Sequence, residues 1–82
     1  MLKIEGAKLK KLQKILTGSD LSYGIKRKFG NFLQDATSVE YDEEKLVAIA
    51  HKSEGDDYEI DFKSRDYISL FPHFLEAMEK TQ

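Results

Sequence analysis

The chain has 82 residues, enough for one small domain, and its formal net charge of −2 and pI near 5.6 lie far from the strongly basic balance typical of nucleic-acid-binding domains. The absence of cysteine excludes a disulfide framework and a thiolate zinc site. No apolar run is long enough for a signal-peptide core or a membrane span, so we expect a cytoplasmic protein without membrane contact. A chain this short buries only about 60% of its unfolded surface, which leaves homo-oligomerisation open.

Charge divides the chain into two unlike parts. Residues 1–34 contain eight Lys or Arg and two acidic residues, whereas residues 35–82 contain five Lys or Arg and thirteen Asp or Glu. Opposite charges arranged in this way either pair within the fold or form surfaces for partners, and the sequence alone does not decide between the two.

The first part predicts a pair of helices over residues 7–36. Apolar residues recur at helical spacing, first from Leu9 to Leu16 and then from Leu21 to Ala36. Gly18 is typical of a helix end, and Ser19 or Asp20 is predicted to cap the second helix. The basic residues of the pair, which we expect on its exposed sides, are Lys10, Lys11, Lys14, Lys26, Arg27 and Lys28.

Residues 37–63 predict a three-stranded antiparallel meander, because apolar and charged residues there alternate with a period of two. The run from Leu46 to Ala50 is continuously apolar, which is expected of a central strand. Such a strand is either covered on both faces or turns its small alanines towards the open face.

Residues 64–80 return to helical spacing and predict a final helix. Pro72 removes a backbone donor within this segment, so we expect a kink there or a restart near Ser69. The predicted fold is therefore a single α+β domain over residues 1–82, with helices covering one face of a small sheet.

The alternation in the strands predicts an acidic sheet face. If the aromatic and aliphatic residues of the strands point to the core, five carboxylates point away from it: Glu40, Asp42, Asp57, Glu59 and Asp61. Along one strand they recur about every 6.6 to 6.8 Å, close to the spacing of successive phosphates in a nucleic-acid strand. Such a surface is suited to mimic nucleic acid or to dock on a basic protein. The same pattern is also expected of an outer sheet face that is exposed to solvent and binds no partner.

No catalytic constellation stands out, and the sequence predicts neither a cofactor nor a bound metal. His51 and His73 are far apart, with no further ligand at metal-binding spacing. The nearest approach to an enzyme site is Asp61-Phe62-Lys63 with Asp42 or Asp57, which would suit a metal-dependent nuclease.

We therefore predict a small non-enzymatic module of the inhibitor, adaptor or assembly-factor type, which binds another protein through the acidic sheet face. The partner is expected to present a basic surface. Nucleic-acid binding by the basic helical pair is the alternative, and the metal-dependent nuclease is the third hypothesis.

Overall fold

The computed structural model describes residues 1–18 and 20–82. The strands are β1 (Leu2–Glu5), β2 (Ala36–Asp42), β3 (Val47–Lys52) and β4 (Tyr58–Asp61), and the helices are α1 (Gly6–Leu16), α2 (Tyr23–Leu33) and α3 (Phe71–Thr81), the last preceded by a 3-10 turn at Ile68–Leu70. The strands form one antiparallel sheet in the order β1-β2-β3-β4. The predicted α+β class is confirmed, but the described sheet has four strands and not three.

Strand β1 is the element that the sequence analysis missed. Leu2 and Ile4 alternate with Lys3 and Glu5, which is the period of a strand, but the pattern lasts only four residues before the helical spacing begins. Gly6 follows with φ of 63°, a left-handed conformation that glycine adopts without a steric penalty. This geometry lets the chain turn directly from β1 into α1.

Helix α2 is shorter at both ends than predicted. Ser22 occupies the capping position, without a side-chain hydrogen bond, so Asp20 is not the cap, and Ser19 lies outside the described residues. At the other end Asp35 has φ of 59°, which is incompatible with a continuing helix and is tolerated by Asp better than by most residues. Ala36, predicted to belong to the helix, begins β2 instead.

The carboxyl end of α2 is closed by a lysine from the sheet. The Lys52 ammonium donates hydrogen bonds to the carbonyl oxygens of Asn31 at 3.1 Å, Phe32 at 2.7 Å and Gln34. It also lies 5.6 Å from the centre of the Tyr58 ring. Burial lowers the pKa of Lys52, and the carbonyl dipoles at a helix end are the ordinary partners of such a cation. Lys52 therefore fixes α2 against β3.

Replacing Lys52 with methionine keeps the apolar stem and removes these hydrogen bonds. We expect the free energy of unfolding in urea to fall by about 1 to 3 kcal/mol, since the last carbonyls of α2 lose a charged donor. Lys10→Met is the matched control, because Lys10 is exposed on α1. It is expected to change stability by less than about 0.5 kcal/mol. Equal losses in the two variants would contradict this role of Lys52.

The core lies between the three helices and one face of the sheet. Ala48 and Ala50 of β3 are fully buried there, so of the two alternatives for this strand the one that placed small alanines on the open face is wrong. Their cross-strand neighbours are Tyr41 and Val39, and the Tyr41 ring packs at 5.1 Å from that of Phe74 on α3. Small residues beside Tyr41 leave space for these rings, and the larger residues of β3 face outwards.

The final helix begins later than the predicted range of 64–80: residues 64–67 are not helical, and α3 starts at Phe71, close to the predicted restart near Ser69. The 3-10 turn ends at Leu70, and Pro72 lies in the first turn of α3, where its missing amide has no helical partner to lose. Ile68 and Leu75, two apolar residues of the last segment, are 59% and 38% exposed. None of the helices described is long and apolar enough to cross a membrane.

Candidate functional site

The sheet face opposite the helices forms the candidate site, which we call the open sheet face. The cross-strand register arranges its side chains in rows: Glu40 and Glu59 flank Ile49, and Asp42 and Asp61 flank Val47. The residues of the open sheet face are Lys3, Glu40, Asp42, Val47, Ile49, His51, Asp57, Glu59 and Asp61. The five acids of the sequence prediction therefore lie on the same side of the sheet, on β2, on β4 and just before β4.

Two of the five acids are held by one histidine. The His51 ring lies between two carboxylates, with Nδ1 at 2.7 Å from Oδ2 of Asp57 and Nε2 at 2.8 Å from Oε1 of Glu40. Only the protonated imidazole carries a hydrogen on both nitrogens, so only the cation donates to both carboxylates at once. Asp57 is further oriented by the backbone amide of Lys52, which donates to its Oδ1 at 3.2 Å.

These contacts shift the pKa values of the histidine and of one partner. The hydrogen bond with Asp57, followed by that with Glu40, raises the pKa of His51, and the hydrogen bond from His51 lowers the pKa of Asp57. Because the pKa of His51 is higher in the fold than in the unfolded chain, its contribution to stability is complete below the ordinary histidine pKa. The contribution is lost as the pH rises through the raised value.

The remaining acids have different surroundings. Oδ1 of Asp42 accepts hydrogen bonds from the backbone amides of Glu44 at 3.0 Å and Lys45 at 3.2 Å, which closes the turn between β2 and β3. Asp61 pairs with the Lys63 ammonium at 3.0 Å, and the amide and side chain of Lys63 lower its pKa. Glu59 is exposed on the edge strand β4.

A shallow depression of about 220 Å³ lies in this face. Its apolar lining comes from Val47 and Ile49, which are half-buried, and from Met1. Its charged lining comes from Glu40, Asp42, Lys45 and Glu59. The outward position of Val47 and Ile49 could not be predicted from the sequence, because a continuous apolar run does not show which of its members face outwards.

The basic residues of the helices are placed apart from this face. Lys10, Lys11, Lys14 and Arg27 are exposed, and Lys26 is half-buried. Lys28 contacts the loop before α3, where its ammonium donates to the carbonyl oxygen of Asp66 at 2.7 Å and lies 5.7 Å from the Tyr67 ring centre. Within the described residues, no ion pair joins a basic residue of α1 or α2 to an acid of the open sheet face.

The proposed nuclease residues do not converge on a metal site. Lys63 is paired with Asp61, Phe62 is buried in the core, and Asp57 is directed to His51. In the part of the chain that the structure covers, no group of three or more His, Cys, Asp or Glu side chains is arranged to hold a metal ion. His73 lies on α3, beside a separate cavity lined also by Glu76 and Lys80.

Comparison with protein-family models, curated proteins and solved structures finds no match to this chain.

Proposed function

We propose that this protein is a small non-catalytic module that binds another protein through the open sheet face. The observation that carries the proposal is the position of Val47 and Ile49, two aliphatic side chains half-exposed at the centre of a sheet face that the helices leave uncovered. Protein interfaces commonly combine a contiguous apolar centre with a polar rim. Here the rim is formed mainly by carboxylates.

The chemistry of the rim defines the partner. Glu40 and Glu59 stand on either side of Ile49, so an arginine or lysine from the partner can place its aliphatic stem on the apolar centre and its charge among the acids. Arginine suits this arrangement best, because its planar guanidinium pairs with carboxylates through two parallel hydrogen bonds. The partner is therefore a protein segment that presents cationic side chains around an apolar one.

Charge-reversal variants test this proposal by differential capture from the native host. The immobilised wild-type chain is compared with the triple variant Glu40→Lys, Glu59→Lys, Asp61→Lys and with the control Lys10→Glu, Lys11→Glu, Lys14→Glu. We expect the sheet variant to lose at least 90% of the captured partner and the helix variant to retain it, because only the first reverses the charge that attracts a basic surface. Circular dichroism establishes that both variants remain folded.

The opposite result supports the basic helices as the functional surface. If the helix variant loses its partner and the sheet variant does not, the open sheet face is not the docking site. Binding to DNA or RNA that weakens steeply between 50 and 200 mM salt, and that is lost in the helix variant, would identify a nucleic-acid-binding protein instead.

A further inference from the structure

One residue of the open sheet face, Glu40, takes part in two features of the site. Glu40 accepts a hydrogen bond from Nε2 of His51, and its side chain also lines the depression beside Ile49. A cationic side chain that enters the depression therefore competes with His51 for the same carboxylate. This competition exists only while the imidazole carries a proton on Nε2.

The two carboxylates that hold His51 are not equivalent. Asp57 accepts a second hydrogen bond, from the Lys52 amide, which keeps its carboxylate in place whatever the state of the ring. Among the described residues, His51 is the only hydrogen-bond or ion-pair partner of the Glu40 carboxylate. When the imidazole loses one proton, the arrangement favours retention of Nδ1–H on Asp57, and the bare Nε2 then turns a lone pair towards Glu40.

We propose that deprotonation of His51 releases Glu40 into the depression and so strengthens binding of cationic partners as the pH rises. This regulation rests on the proposed docking function. The proton leaves Nε2 for solvent, the ring becomes neutral, and Glu40 becomes available to an incoming guanidinium. At low pH the imidazolium holds both carboxylates and adds a positive charge beside the docking surface.

The groups around His51 allow this effect to be isolated. The cross-strand neighbour of His51 on β2 is Ser38, with Glu5 beyond it, and the Asp57 carboxylate contacts its Nδ1, whereas the three helices pack on the other face of the sheet. The other charged side chains on and around this face are Lys3, Asp42, Lys45, Glu59, Asp61 and Lys63. Asp, Glu and Lys side chains ordinarily titrate outside the range from pH 5.5 to 8.5. Met1 also lines the depression, and its α-amino group is present in every variant compared.

The test uses a pentapeptide with one leucine between two pairs of arginines, acetylated and amidated at its ends, whose charge does not change in this pH range. Its affinity for the full chain is measured at pH 5.5 and 8.5. We expect the wild type to bind about three- to tenfold more tightly at pH 8.5, because a unit charge is removed within a few ångströms of the bound cation. His51→Gln is expected to show a much smaller change between the two pH values, and its affinity should be close to that of the wild type at pH 8.5. His73→Gln, which changes the histidine on the helical side, retains the wild-type response.

Nitrogen NMR reports the protonation and tautomer of the His51 ring without the peptide. We expect the neutral ring to be the Nδ1–H tautomer. Binding without pH dependence, an equal pH dependence in His51→Gln, or an Nε2–H tautomer would each overturn the regulation and leave the docking surface standing. Absence of peptide binding at both pH values would contradict the docking surface itself.

Discussion

Replacing Phe74 with alanine is expected to lower the free energy of unfolding by about 3 to 5 kcal/mol. Phe74 is fully buried on α3, and its ring centre lies 4.8 Å from that of Phe62 and 5.1 Å from that of Tyr41. The substitution leaves a cavity and removes two aromatic contacts. For a chain of this length the total stability is about 4 to 12 kcal/mol, so one ring accounts for a large share of it.

Urea denaturation and thermal melting measure this loss, and Tm is expected to fall by at least about 12 °C. Leu75→Ala, at the next position on α3, is the matched control, because Leu75 is 38% exposed. Its effect should be below about 1.5 kcal/mol. A loss at Leu75 equal to that at Phe74 would show that α3 presents a different side to the sheet.

The second large effect concerns binding. Replacing Ile49 with threonine keeps a β-branched residue in the strand but removes apolar surface from the centre of the open sheet face. Full burial of an exposed isoleucine side chain is worth about 1.5 to 3 kcal/mol, and Ile49 is already half-buried, so we expect the affinity for the captured partner to fall about four- to tenfold. Isothermal titration calorimetry measures this change.

Ile68→Thr is the control for this variant, because Ile68 is an exposed isoleucine that lies on no strand. Its affinity for the partner should equal that of the wild type, and both variants should unfold at nearly the same urea concentration. If both substitutions weaken binding equally, the apolar centre of the sheet is not what the partner recognises.

Local periodicity predicted the parts of the fold in which exposed and buried residues alternate along the chain. Glu59 lies between half-buried Tyr58 and buried Ile60, so alternation alone assigns it to the outer face. The start of α3 beside Pro72 was also predictable, because the ring of proline fixes its own φ angle and suits the first turn of a helix. These assignments need no knowledge of distant contacts.

The orientation of β3 was not predicted, because it depends on pairing between strands. The run from Val47 to Ala50 has no period, and its orientation is decided by the neighbours Tyr41 and Val39 on β2. The orientation then places the alanines under the aromatic rings and the larger residues outside. Periodicity within one strand cannot predict an orientation that depends on pairing with the adjacent strand.

The contacts of His51 with Asp57 and Glu40 were not predicted, for the same reason. The last paired residues of β3 and β4 are Ala50 and Tyr58, and Asp57, just before β4, contacts His51 at 2.7 Å. Glu40 reaches His51 diagonally from β2, because Ser38 stands opposite His51 and Glu40 stands opposite Ile49. Alternation within one strand does not fix this register, so neither contact could be predicted from it.

The most direct test of the docking proposal is amide chemical-shift mapping of the labelled chain with its captured partner. We expect the largest perturbations at Glu40, Ile49 and Glu59, because these residues line the depression on three adjacent strands. Perturbations confined to Lys10, Lys14 and Arg27, with the strands unaffected, would contradict docking through the open sheet face.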